Sequence, residues 1–187
     1  MSKLIFTLMI LLISSIRSSL IIYSPTDIID NIKKHMEKNK KKDLTPLILD
    51  LNNLMDSIDY DILEKFQKLI LKKTQLNTIV VFASNIQQFN GGINAFADLV
   101  FYELEKIIKL DKINLVFTLF SVGDRQMVMK TTNNLINIFT QQYAFNLLEK
   151  RKLALQGNHY FLTVYELLKD IYKDFNNYRN TGKTSDL

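Results

Sequence analysis

Apolar residues fall into short blocks separated by longer stretches of helical periodicity. Leu47-Ile48-Leu49-Asp50 is an apolar run closed by a carboxylate, which predicts a short buried strand. Asp56 followed by Asp59 predicts a helix N-cap with an acidic first turn. The helix that follows places Ile62, Phe66, Leu69 and Ile70 on one face. Thr78 to Ala83 is β-branched and aromatic, the composition of a central strand. Asn90-Gly91-Gly92 predicts a loop able to take positive φ, and Ala95 to Leu110 a second helix with Phe96, Leu99, Val100, Leu104 and Ile107 as its stripe. Asn114 to Phe120 is a third strand, and Ser121-Val122-Gly123-Asp124 turns the chain so that Gln126 to Lys130 pairs back as a fourth. Leu135 to Leu153 and Phe161 to Phe175 predict two more helices, separated at Gly157-Asn158, and the polar tail beyond Tyr178 is expected to fray. Strands alternating with helices predict an α/β fold: a small mixed four-stranded sheet flanked by helices.

The N-terminus follows a different pattern. Leu4 to Ile13 is apolar except for Thr7, then come Ser14, Ser15, Ile16, Arg17, Ser18 and Ser19, and a second apolar patch, Leu20 to Tyr23, stops at Ser24-Pro25. Read short, this is a secretory signal with a basic start, an apolar centre and small residues for cleavage. Read long, residues 4–23 approach the ~20 needed to cross a bilayer. The expectation is a retained single-span membrane segment ahead of the α/β body. The chain then divides into a hydrophobic segment at 1–24, a basic spacer at 25–44, the α/β domain at 45–177 and a polar tail at 178–187.

Composition narrows the chemistry. The 187 residues suit one domain plus an appendage, and the absence of cysteine excludes disulfides, thiolate metal sites and cysteine nucleophiles. The net charge of +5 is concentrated in Lys33, Lys34, Lys38, Lys40, Lys41 and Lys42. That compact run lacks the interleaved aromatics of a nucleic-acid surface, so no nucleic-acid partner is expected. A solvated spacer explains it better than a headgroup-binding patch, although the positive-inside rule would hold a following domain on the cytosolic or matrix side. No phosphate-binding loop and no nucleophile elbow is present, and His35 and His159 lie far apart without a second nitrogen ligand in helical spacing. What remains are carboxylates at strand ends, Asp50 and Asp124, the latter beside Arg125. Carboxylates at the carboxyl ends of parallel strands could hold Ca²⁺ or Mg²⁺ through oxygen. The plainer reading makes them turn and cap residues bonded to local N–H groups.

In order and type of element the stretch from Ile48 to Asp174 resembles the TPM domain family. The resemblance rests on Ile48-Leu49-Asp50 before a capped helix, on Ile79-Val80-Val81, on Phe96-Ala97, on Leu115 to Phe120 followed by Asp124-Arg125 and Met127-Val128-Met129, and on Gly157-Asn158-His159-Tyr160. Where the family has Gly-x-Gly-Leu this chain has Thr132-Asn133-Asn134-Leu135, and Gln141 takes the place of the following acidic residue. The resemblance implies a TPM-like sheet, divalent-cation binding in some relatives and a weak phosphatase activity in others, both depending on loops at one end of the sheet. Losing two glycines at Thr132 and Asn134 and a carboxylate at Gln141 implies that this chemistry is lost, with Asp50 and Asp124 left as a degenerate metal pair.

The resulting expectation is a membrane-anchored, non-catalytic TPM-like interaction domain without a cofactor. Residues 4–23 would meet the lipid bilayer, and the partners would be other subunits of a larger membrane complex. The mitochondrial inner membrane is expected in preference to the secretory pathway. The alternatives are a weak cation-dependent phosphatase and a secreted soluble domain.

Overall fold

The computed structural model describes residues 22–38, 46–86, 89–108 and 113–182. The body is a four-stranded sheet in the order β1 (Leu47–Asp50), β2 (Leu76–Ala83), β3 (Asn114–Ser121), β4 (Gln126–Thr131). The first three strands are parallel and β4 returns antiparallel to β3. All eight residues of β2 are buried, the signature of a strand covered on both faces.

One face is covered by α1 (Pro25–Lys38) and α3 (Gly92–Ile107), which pack on Ile79, Val81, Phe117 and Leu119. The other is covered by α2 (Ser57–Thr74), α4 (Gln141–Glu149), the short α5 (Lys152–Gln156) and the long α6 (Tyr160–Thr181), over Val80, Phe82, Val116 and Phe120. The stacked rings of Phe82 and Phe120, 4.7 Å apart, lie at the centre of that second layer. Strands β1, β2 and β3 advance in one direction across the sheet, yet α2 and α3 lie on opposite faces. Two right-handed crossovers advancing the same way would share a face, so these two crossovers have opposite hands.

Several predicted elements need correction. Residues 25–38 are not spacer: they form α1, capped by Ser24 and Asp27, with Ile28, Ile29 and Ile32 buried against α3. The run Leu135 to Leu153 is not one helix. A single 3-10 turn at Asn133–Leu135 gives way to irregular chain, and α4 starts afresh where the Thr140 hydroxyl accepts from the Tyr143 N–H. Arg151, 5% exposed, donates to the carbonyls of Leu147 and Glu166 at 2.8 Å each and pairs with Asp170, which ends that helix and ties it to α6. Helix α6 continues past Tyr178 to Thr181 before Gly182 takes φ 68° as its left-handed stop.

The buried face of α2 is rotated from its predicted phase, whereas that of α3 meets the prediction at Phe96, Val100 and Leu104. In α2 the buried positions are Leu63, Gln67, Ile70 and Thr74, while Ile62 and Leu69 are exposed. In α3 Ile93, Phe96, Ala97, Val100 and Leu104 are buried, while Leu99 and Ile107 are exposed. The membrane segment expected at residues 4–23 lies outside the described residues except for Ile22 and Tyr23. Among the described residues no helix is long and apolar enough to cross a membrane.

Candidate functional site

The β1–α2 and β2–α3 connections leave the sheet towards opposite faces. That divergence opens a crevice at the carboxyl ends of β1 and β2, the place where an open α/β sheet receives a ligand. In this chain the crevice receives Ile22 and Tyr23. Ile22 forms a parallel bridge with Asn85 just beyond β2, and the Tyr23 hydroxyl donates to the Leu51 carbonyl just beyond β1 at 2.8 Å.

Asp50 closes β1 and turns its carboxylate onto the loop that follows. Oδ1 accepts the Asn52 N–H at 3.0 Å, and Oδ2 accepts the N–H groups of Leu54 at 2.5 Å and Met55 at 3.1 Å. Tyr60, near the start of α2, lies close enough to the same carboxylate to feel its charge. Burial first, and then the neighbouring Asp50 carboxylate, push the Tyr60 hydroxyl above the usual phenol range. Tyr23 is shifted the same way by burial, then by Asp50 and Asp27. Tyr160, the first residue of α6, is raised by burial and by Asp50, against an opposing pull from Arg125. Three tyrosines thus feel the Asp50 charge, although the Tyr23 hydroxyl donates to the Leu51 carbonyl and the Tyr160 hydroxyl to the Asn158 side chain.

Asp124 performs a similar task one turn away. Its Oδ2 accepts the Ile86 N–H at 2.8 Å and the Ser121 hydroxyl, pinning the chain beyond β2 to the turn beyond β3. The same turn requires Gly123, whose N–H donates to the Ser84 carbonyl at 2.5 Å; an added Cβ would lie 2.6 Å from that oxygen and closer still to the Asn85 side chain. Arg125 follows in the left-handed region at φ 52°.

The structure therefore places Asp50 and Asp124 at the same end of the sheet but on strands separated by β2, about 10 Å between strand axes. Among the described residues no group of three or more His, Asp or Glu side chains could hold a metal ion. Of the family-motif positions, Arg125 lies at this end and three others lie elsewhere. Thr132 is buried at the far end of β4, where its N–H donates to the Leu115 carbonyl and its hydroxyl accepts the Leu115 N–H, each at 3.1 Å. Asn134 bonds Asn114 at the start of β3, and Gln141 is the exposed first residue of α4. Because β4 runs antiparallel to β3, Thr132 and Asn134 lie at the opposite end of the sheet from Asp50 and Arg125. The expectation that all these positions serve loops at one end is corrected by that strand direction.

Tyr160 enters the sequence reading only within Gly157-Asn158-His159-Tyr160, Tyr23 only as the end of an apolar patch and Tyr60 not at all. Only the topology brings all three within reach of the Asp50 charge. The lead-in at Ile22–Tyr23 was hidden for a different reason, since its apolar character was assigned to the segment before it.

The class these features define is a four-stranded mixed α/β domain whose own chain, at Ile22 and Tyr23, lies against the carboxyl ends of β1 and β2. No family model matches the sequence, and no curated protein matches it either. Solved structures share the fold. The N-terminal domain of a protein from P. gingivalis superposes with a TM-score of 0.67 at 12% identity, over 82% of this chain and 92% of that domain. The BA42 protein of the psychrophilic bacterium Bizionia argentinensis gives 0.57 at 12% identity, over 68% of this chain and 86% of its own. The N-terminal domain of the cg2496 protein of Corynebacterium glutamicum gives 0.53 at 10% identity, over 71% and 88%. At these identities the likeness is one of fold.

Proposed function

We propose that this chain is a TPM-like interaction domain without catalytic activity, held at a membrane by its N-terminal segment and serving as an accessory or assembly subunit of a larger membrane complex. The observation that carries the proposal is the chain's own engagement of the crevice. Ile22 and Tyr23 lie against the ends of β1 and β2, and the Asp50 carboxylate is committed to three backbone N–H groups. A carboxylate so engaged is a poor general base and a poor cation ligand, because ligation would strand the amides it now satisfies. The order of strands and helices is compatible with the TPM resemblance read from Ile48 to Asp174. Anchoring draws on the apolar residues 4–21, which lie outside the described part of the structure.

Fractionation of native cells followed by mild solubilisation and sizing tests the proposal. The protein is expected to resist carbonate extraction from the membrane pellet and to migrate far above its 21.8 kDa mass in mild detergent. Fractionation also separates the mitochondrial inner membrane from the secretory pathway. A freely soluble monomer overturns the anchored-subunit reading. Calorimetric binding of Ca²⁺ or Mg²⁺ that Asp124→Ala abolishes at unchanged fold would replace it with the cation-dependent alternative.

A further inference from the structure

Strand β4 closes one side of the sheet, and among the described residues no strand lies against its outer edge. The register decides which backbone groups face that edge. The Thr132 N–H donates to the Leu115 carbonyl, so these residues form a hydrogen-bonded pair, and such pairs alternate along an antiparallel ladder. Counting back through the register, Val128 and Lys130 turn their N–H and C=O groups towards β3, whereas Met127, Met129 and Thr131 turn theirs outwards. Among the described residues nothing donates to or accepts from those outward groups.

A groove of about 470 Å³ follows this edge from Met127 to Thr131, with Ile136 and Phe145 along its other wall. These two side chains are 59% and 57% exposed. The groove continues into a second hollow of about 260 Å³, which shares Met127 and Phe145 and reaches Arg125. The charges along the groove are largely paired internally: Lys130 with Asp98 at 2.7 Å and Lys152 with Glu149 at 3.3 Å. Arg125 has no carboxylate partner among the described residues.

We propose that this edge receives an extended apolar segment of a partner protein, added to the sheet as a fifth strand and carrying a carboxylate at the end that lies beside Arg125. Backbone bonds to Met127, Met129 and Thr131 would supply affinity, apolar side chains would cover Ile136 and Phe145, and the carboxylate would fix direction. Charge disfavours a second copy and the N-terminal segment as occupants. A second copy paired through β4 would bring Gln126–Thr131 to the groove, and that strand contains no acidic residue. Residues 1–21 contain Lys3 and Arg17 and no Asp or Glu. The proposal deepens the interaction-domain reading and rests on it for the partner being a protein.

Short random peptides displayed on phage and selected against the full chain in detergent micelles test it, with recovered peptides titrated by fluorescence anisotropy. They are expected to be apolar and to share an acidic residue at one end. Met127→Pro and Thr131→Pro each remove an outward N–H but leave the bonds to β3, so each should weaken binding about tenfold. Arg125→Glu should weaken it comparably, and Arg125→Lys should retain most of it. Circular dichroism and urea midpoints of the proline variants separate a blocked edge from a lost fold. Peptides that bind both proline variants as well as the parent overturn the proposal, as does a library that yields no binder. A dimer of the chain that Thr131→Pro dissolves also overturns it, by giving the edge to a second copy. In each of these cases, retention of the chain in a large membrane assembly would leave the interaction reading standing.

Discussion

At Asp50 one carboxylate organises the N–H groups of Asn52, Leu54 and Met55, so its removal exposes the cost of leaving amides unpaired. Asp50→Ala is expected to destabilise the domain by about 2–4 kcal/mol, read as a lowered urea midpoint, while Asp50→Asn recovers part of the loss through its remaining acceptor oxygen. A residue kept for catalysis would behave in the opposite way, losing activity at an unchanged midpoint. Gly123 makes a second residue-scale case. Its Cβ-free approach to the Ser84 carbonyl leaves no room for alanine, so Gly123→Ala should cost about 1–3 kcal/mol through displacement of the turn that holds Asp124. The tyrosines give the domain an alkaline limit. Tyr60 and Tyr143 have hydroxyls raised above their ordinary value of 10.0, first by burial and then, respectively, by the Asp50 charge and the hydrogen bond to Asp174. A raised folded-state pKa means that above pH 10 the native state holds protons the unfolded chain has released. Stability is therefore fully present below that pH and falls as pH rises through the window above it. Urea midpoints measured from neutral pH upwards should decline beyond about pH 10, and less steeply in the Tyr60→Phe, Tyr143→Phe double variant.

Helix α1 separates two readings of the same basic stretch. As a spacer, residues 25–38 would tolerate any polar substitution. As observed, Ile28 and Ile32 are fully buried against the sheet layer that contains Val81 and Phe117. Ile32→Ala is expected to cost about 2–5 kcal/mol by thermal or urea unfolding, whereas Lys34→Ala on the exposed side should stay within about 0.5 kcal/mol. A fragment starting at Thr45 would lack this layer and should fail to fold cooperatively. The lysines concealed the helix because they dominate the composition, while the isoleucines at positions 28, 29 and 32 preserve its period. Strands were more legible: Leu47–Asp50 and the return of β4 follow from apolar runs and a Gly-Asp turn, with ends shifted by no more than two residues. The face of α2 was less so, since its buried side includes polar residues with structural partners. Gln67 donates to the carbonyls of Leu47 and Thr78, and the Thr74 hydroxyl donates to Ile70 and accepts from Leu76. Counting only apolar residues rotates that helix by one position. The site was legible in its carboxylates, which do satisfy turns, and illegible in the tyrosines and the lead-in at Ile22–Tyr23, because those depend on crossovers of opposite hand.

The position of Ile22 carries an orientation for the whole molecule. Its bridge to Asn85 fixes the point where residues 1–21 meet the body, and that point lies at the carboxyl ends of the parallel strands. If the upstream segment spans a bilayer, only two residues, Tyr23 and Ser24, separate Ile22 from the rigid start of α1. The body is then held close to the surface with that end of the sheet facing it. Helix α2 serves as a ruler, because Ser57 lies at the near end, after β1, and Lys73 one helix length away, about 25 Å along its axis. The chain contains no cysteine, so Ser57→Cys and Lys73→Cys each provide a single labelling position without background. Both residues are exposed. With an environment-sensitive fluorophore at either position and the full chain in vesicles containing headgroup-labelled quencher lipid, Ser57→Cys is expected to be quenched strongly and Lys73→Cys weakly. Equal quenching would mean that the body tumbles freely from its tether. Stronger quenching at Lys73→Cys would place the opposite end of the sheet, with Thr132 and Asn134, against the membrane. The expected orientation leaves the outer edge of β4 perpendicular to the surface and open to a segment arriving from the side, with Arg125 at its membrane-proximal end. An adjoining subunit in the same bilayer could then present its extended segment without either body lifting from the membrane.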